Sequence, residues 1–270
     1  MVGAGDLSPG LVPSINNVNG GDSSPQFIEL DPKKQRWTRL RKNLGVAAKL
    51  LSNSGPRQPW MLTLTYADAH GWKPDHIRDA LRLFRAWCTR SGFRCRYIWV
   101  METKARKSGD QVGTVAPHYH LVVWLPHGVQ PPYFDARGWW PHGLTNQVKA
   151  VAAVRYVMKY ASKFDNDGDL PHGARIYGIG GLSKSDAAIR RWINWPSYLQ
   201  GNAAVSCRWA RRTGGGFVNR DTGEVLLSEW GLSSRNKQST RLMRIRSHPR
   251  VIESPVGPFS WVKAWDNASF

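Results

Sequence analysis

Acidic residues are scarce in this 270-residue chain: 19 Asp and Glu stand against 38 Lys and Arg, a formal charge of +19. Such an excess favours a polyanionic partner, most simply nucleic acid, over an acidic substrate. A generally solvated basic surface is the alternative. It is weakened by 14 Trp and 8 Tyr interleaved with the charge, because aromatic rings stack on unpaired bases; most of the Trp must nonetheless be core. Cysteine is nearly lacking. Cys88, Cys95 and Cys207 form no Cys-x-x-Cys pair and no even framework, which argues against a disulfide scaffold and zinc-finger chemistry and for a reducing compartment. No apolar run is long enough to span a bilayer. The first residues lack the basic and apolar regions of a secretory signal, so the expected location is cytoplasmic, with no membrane partner. No internal repeat is apparent. What remains is a chain with 41% hydrophobic residues, enough to bury a core as one large domain or two modest ones.

Residues 1–30, rich in Gly, Ser, Pro and Asn, read as a flexible tail. Lys33 to Lys49 has Trp37, Leu40, Leu44 and Ala48 at helical spacing. That basic helix either contacts DNA or packs with a solvated face. Trp60 to Tyr66 alternates as a strand. Pro74 opens an amphipathic helix through Ile77, Leu81, Phe84 and Cys88, stopped by Ser91-Gly92. Arg96 to Thr103 is a second strand, and a polar loop joins it to a third, so the two are expected to pair antiparallel. Thr145 or Asn146 is expected to cap a helix running to about Lys163, with Val151, Val154, Met158 and Ala161 as its apolar stripe. Residues 201–270 form a basic extension. It contains a hairpin over Phe217 to Leu227 and a segment, Arg235 to Arg250, expected to be poorly ordered or DNA-facing.

The third strand, Pro117-His118-Tyr119-His120-Leu121-Val122-Val123-Trp124-Leu125-Pro126, carries the chemistry. Alternate residues share a face, so His118 and His120 point together and Tyr119 points away. Two imidazoles on one strand are half of a metal site, though a chance His-x-His is common. If the neighbouring strand pairs as expected, Glu102 joins them on the face of Ile98 and Val100. One carboxylate and two imidazoles suit Mn²⁺ and tolerate other divalent ions, Mg²⁺ included. Further on, Tyr156 and Tyr160 are four apart and share a helical face flanked by Lys159 and Lys163. Two tyrosines in a second packing surface would give the same spacing. A phenol with pKa about 10 is a weak nucleophile at neutral pH, and nearby ammonium groups or a metal favour the phenolate.

The succession Leu62-Thr63-Leu64-Thr65, then His118-Tyr119-His120, then Tyr156 with Lys159 and Tyr160 resembles the HUH endonuclease superfamily, and within it the two-tyrosine rolling-circle replication initiators of single-stranded-DNA bacteriophages and plasmids. The resemblance covers roughly Trp60 to Ser183. Histidines ahead of the tyrosines are the initiator or transposase order rather than that of relaxases; the departure is Tyr119, where a bulky apolar residue is usual. The resemblance implies an α+β fold in which an antiparallel sheet of about five strands, an RRM-like palm, carries helices on one face, and it sets the endonuclease domain at 31–200. It implies His118, His120 and Glu102 as ligands of a divalent metal (Mg²⁺ or Mn²⁺), Tyr156, Tyr160 and Lys159 as the catalytic set, and Lys163, Arg155, Thr63 and Thr65 against DNA. The activity implied is nicking of single-stranded origin DNA through a 5′-phosphotyrosine link, leaving a free 3′-hydroxyl primer, then rejoining. The partners implied are the replication origin and a host helicase and polymerase.

Three weaker signals are set aside. Gly178-Ile179-Gly180-Gly181-Leu182-Ser183-Lys184-Ser185 nearly matches a phosphate-binding loop, but Ser183 replaces the second glycine; it reads as a Gly-rich turn, with no helicase implied. Asp165, Asp167 and Asp169 miss the calcium-loop spacing. Of the other histidines, His127 and His142 alone merit testing as auxiliary ligands, and His76 reads as a surface or loop residue. The rival functions are a single-tyrosine HUH transposase and a non-catalytic basic single-strand-binding protein.

Overall fold

A computed structural model of the chain describes residues 25–55, 57–105, 111–162, 173–212, 215–236 and 239–252. It opens with β1 (Phe27–Leu30) and α1 (Pro32–Asn53). The Asp31 carboxylate caps α1 by accepting from the N–H groups of Lys33 and Lys34, and Pro32 occupies the first turn, where its missing N–H leaves nothing unsatisfied. Trp37, Leu40, Leu44 and Ala48 are buried, the face predicted by their spacing. Next come β2 (Gln58–Thr65), α2 (His76–Arg90), β3 (Tyr97–Ala105) and β4 (Val115–Leu125). They are followed by β5 (Thr145–Lys149), α3 (Ala153–Ala161) and β6 (Tyr177–Gly180). The expected α+β class is observed, and the strands form a five-stranded antiparallel sheet in the order β5-β2-β4-β3-β6.

Helices cover both faces of this sheet, not one. On the face shared by His118, His120, Val122 and Trp124, the Trp124 indole donates to Ser52 Oγ of α1, and α3 packs beside α1. On the opposite face Tyr97 lies beside Arg85 of α2, and Tyr119 meets Trp99 and Trp140. Strand β4 is central, and from Leu121 to Leu125 it is buried on both sides. A strand in that setting needs the continuous apolar run that the sequence carries there.

Three local readings are corrected. Thr145 and Asn146 do not cap a helix: they begin the edge strand β5, paired with β2, and α3 starts only at Ala153. The stripe of α3 is Ala153, Val157 and Ala161, while Val151 is 99% exposed. The Gly-rich segment at Gly178 is a strand rather than a turn. Gly178 pairs with Trp99 and Gly180 with Tyr97, and a Cβ at either glycine would run into the aromatic ring opposite. The glycines let two large rings of β3 lie over the sheet edge.

The chain continues through α4 (Lys184–Ile193), capped by Ser183 Oγ accepting from Asp186 N–H, and α5 (Ser197–Gln200). Then come β7 (Trp209–Arg211), β8 (Phe217–Asn219), β9 (Val225–Leu227), β10 (Trp230–Arg235), β11 (Thr240–Arg244) and β12 (Arg250–Ile252). The expected hairpin is β8–β9. The basic segment after it contains ordered strands, with β11 lying between β10 and β1 and β12 beside β9. Phe27–Leu30, read as the end of the tail, is therefore a paired strand; residues 1–24 and the acidic turn at Asp165 lie outside the described residues. Among the described residues no helix is long and apolar enough to cross a membrane.

Replacing Gly178 by alanine should destabilise the protein by about 1–3 kcal/mol, the usual effect of forcing atoms into a packed site. A urea melt reads this as a lower midpoint, with the same alanine change at exposed Gly92 or Gly128 as a comparison for loss of the left-handed conformation alone.

Candidate functional site

The register of β4 builds the site. His118 stands opposite Glu102 on β3 and Thr65 on β2, and His120 opposite Val100 and Thr63. Thr63, Thr65, Glu102, His118 and His120 therefore occupy one face, as strand alternation predicted. His118 Nδ1 lies 2.9 Å from the Ala116 carbonyl oxygen. A carbonyl only accepts, so Nδ1 carries the proton and the Nε2 lone pair is left to face outward chemistry. Burial pushes the His118 pKa below its ordinary value, the bond to Ala116 opposing this in part, so the ring is neutral at neutral pH. His120 is held at both nitrogens. Nε2 donates to Glu102 Oε2 at 3.0 Å, leaving Nδ1 to accept from the Thr63 hydroxyl at 3.3 Å. The His120 and Glu102 side chains are only 12% and 13% exposed.

Helix α3 closes the site from above. The Tyr160 ring stacks on His120 with centroids 3.8 Å apart and planes 12° from parallel. Lys159 Nζ lies 5.9 Å from the centre of the Tyr160 ring, so an ammonium charge adjoins the phenol. Tyr156, one turn earlier, is half-buried against the core. Its helical face adjoins the buried line of Ala153, Val157 and Ala161, so the tyrosines pack in part as well as face the site. Thr65 donates its hydroxyl to the Leu144 carbonyl, so it is already engaged in the fold. Arg155 is exposed and lines a separate groove with Arg57 and Trp124, away from the imidazoles. Lys163 lies outside the described residues.

The donor set of two imidazoles and one carboxylate suits a divalent ion, with His118 Nε2 already free of its proton. As the side chains stand, Glu102 closes on His120 instead. Among the described residues no group of three such side chains converges as a ligand cluster.

Neither auxiliary histidine joins the site. His127 is exposed beyond the far end of β4. His142 lies across the sheet, on the Tyr119 side, stacked on His76 at 3.5 Å between centroids and 10° from parallel. His76 Nδ1 is 3.2 Å from the Tyr66 hydroxyl, and Trp72 Nε1 donates to the Tyr119 hydroxyl at 2.8 Å. Tyr119, the departure from the usual His-hydrophobic-His pattern, is thus buried in an aromatic cluster away from the imidazole face. Burial raises the pKa values of both Tyr66 and Tyr119, so neither phenol ionises near neutral pH. The cluster of Tyr66, His76 and His142 went unread in the sequence because its members come from three separate segments.

Residues 59–165 match the family model for the replication-associated protein ORF2. The matched span includes β2, β4 and α3, the three elements that carry Thr63, the histidines and the tyrosines. The match supports a replication initiator and an association with DNA replication. No curated protein and no solved structure matches the chain.

The stacked pair carries a pH prediction. Burial lowers the pKa of both His76 and His142, joined at His76 by the charge of His142 and at His142 by that of Lys73. The unfolded chain then binds more protons, so stability is full above the ordinary histidine pKa of about 6.5 and falls as the pH drops through it. The urea midpoint should be lower at pH 5.5 than at pH 7.5, roughly one unit either side of that value. In a His76→Gln/His142→Gln variant the difference should narrow.

Proposed function

We propose that this protein is a replication initiator of the HUH type that nicks and rejoins single-stranded origin DNA through a tyrosine. The observation that carries this reading is the seat of Tyr160. A tyrosine with a lysine beside it is stacked directly on one of two imidazoles that share a sheet face with a carboxylate. The family match over the same elements and the charge of +19 support a DNA substrate.

In this reading His118, His120 and Glu102 hold a divalent ion, Mg²⁺ or Mn²⁺, which supplies charge neutralisation at the scissile phosphate. Lys159 favours the ionised form of the attacking phenol and Thr63 keeps His120 oriented. The tyrosine oxygen forms a bond to phosphorus as the bond from phosphorus to the 3′ oxygen breaks. The 3′ end leaves as a hydroxyl and the 5′ phosphate stays on the tyrosine. Because one phosphodiester replaces another, the reverse attack by a 3′-hydroxyl restores the strand with no external energy source. A free 3′-hydroxyl primes synthesis by a host polymerase, and a host helicase would open the template. The second phenol, one helical turn away, gives a second cleavage after one round.

Two outcomes test it. With an origin oligonucleotide and Mn²⁺, His118→Ala and His120→Ala should each abolish the covalent protein–DNA adduct on a denaturing gel. In EDTA, filter binding of the same DNA should change little; equal loss of binding would overturn the metal-ligand role. Tyr156→Phe or Tyr160→Phe alone should retain some adduct, since phenylalanine keeps the ring and its packing, and the double variant should form none. One dead and one fully active single variant, through strand transfer and termination, would make this a one-tyrosine enzyme.

A further inference from the structure

The two basic stretches read separately in the sequence, the first helix and the segment from Arg235, meet in space. They line the largest open groove among the described residues, about 940 Å³, with Arg36 and Arg39 from α1, Arg175 just before β6, and Arg235 at the end of β10. No acidic residue lines it. Among the described residues none of the four arginines has a carboxylate at ion-pair distance, although exposed arginines elsewhere do, as Arg208 has Asp221 and Arg78 has Asp75. The floor is fixed: Asn43 donates to the Tyr177 hydroxyl at 3.1 Å and accepts from Asn194 at 3.3 Å. Two guanidinium groups are braced against indoles, Arg36 over Trp37 at 5.3 Å and Arg175 over Trp99 at 6.0 Å. Partial burial, and then the charge of Arg211, push the Arg39 pKa down. Four like charges held together without a counter-ion leave an unfavourable field that a bound polyanion relieves.

We infer that this groove seats the phosphodiester backbone of a DNA strand, at a place separate from the tyrosine site. The identity of the polyanion rests on the DNA reading proposed above; the groove itself does not depend on nicking. Arginine forks suit phosphate oxygens, and no lining feature reads a base edge, so the contact is independent of sequence. Tyr177 pairs with Val100, which pairs with His120. The groove therefore begins two strands from the imidazoles, about 10 Å at ordinary strand spacing, and would hold DNA flanking the scissile phosphate.

The test is fluorescence anisotropy of a labelled single-stranded oligothymidine on the full chain, in EDTA, over a salt series. Arg36→Gln/Arg175→Gln/Arg235→Gln should weaken binding roughly tenfold or more, and lower the slope of log affinity against log salt by about 2, near 0.7 for each lost contact. The matching triple lysine variant keeps the charge and should keep most of the slope. If the glutamine triple does not fold by circular dichroism, each single glutamine variant should lower the slope by about 0.7. A folded glutamine variant with unchanged affinity and slope overturns the proposal, as does a lysine triple that loses as much as the glutamine triple. Adduct formation by the unaltered protein is scored separately. Adduct with no effect of the triple refutes the groove and keeps the nicking reading; no adduct with the expected effect does the reverse.

Discussion

The antiparallel register between β3 and β4 is the constraint from which the site follows. At one end of this pair, Tyr97, Ile98 and Trp99 lie opposite Val123, Val122 and Leu121, all buried. At the other end the same register brings Glu102 opposite His118. A slip of one residue would turn the carboxylate to the opposite face and leave the imidazoles without it. The apolar half of the strand pair, through burial, thus fixes the polar half. The position of a candidate metal ligand is decided by the packing of tryptophan and isoleucine several residues away.

The tyrosine helix depends on a different economy of volume. Two of the three residues α3 buries are alanines, so its axis lies close to its neighbours, and Met158 packs on α1 at Gly45, where a Cβ would come within 3.1 Å of the sulfur. Close approach brings the next residues around the helix, Tyr156 and Tyr160, down toward the sheet. A large residue at 45 would lift α3 and separate the Tyr160 ring from His120. The site is therefore assembled from a rigid sheet and a helix whose height is set by small side chains, with a flexible thioether filling the remainder.

The sequence made the sheet's central strands legible because each signal there was local. Alternation placed His118, His120 and Glu102 on a common face, and the four-residue spacing placed the tyrosines together. It failed where a tertiary partner decides. Thr145–Lys149 is polar and short and became a strand only because β2 offers an edge, with Thr145 and Gln147 buried against expectation. Val151 is apolar and yet exposed, so a stripe drawn through it was displaced by about a turn. Glycine at 178 and 180 signalled a turn, whereas its actual cause is the aromatic rings of β3 opposite. The His76–His142 stack and the arginine groove join residues from distant segments, and no window along the chain could have displayed either.

The pairing of β1 with β11 has a consequence for how the protein comes into being. Phe27 is in register with Met243, so more than 200 residues separate two adjacent strands. Contacts of that span raise the contact order and slow folding, because the ends of a long loop must meet before any gain is realised. During synthesis at about 5–20 residues per second, β1 must wait on the order of 10–40 s for its partner to emerge. The five-stranded sheet, whose strands all lie between residues 58 and 180, can close in that interval. The sheet joining the two ends is then added last, and with it Arg235 reaches the groove.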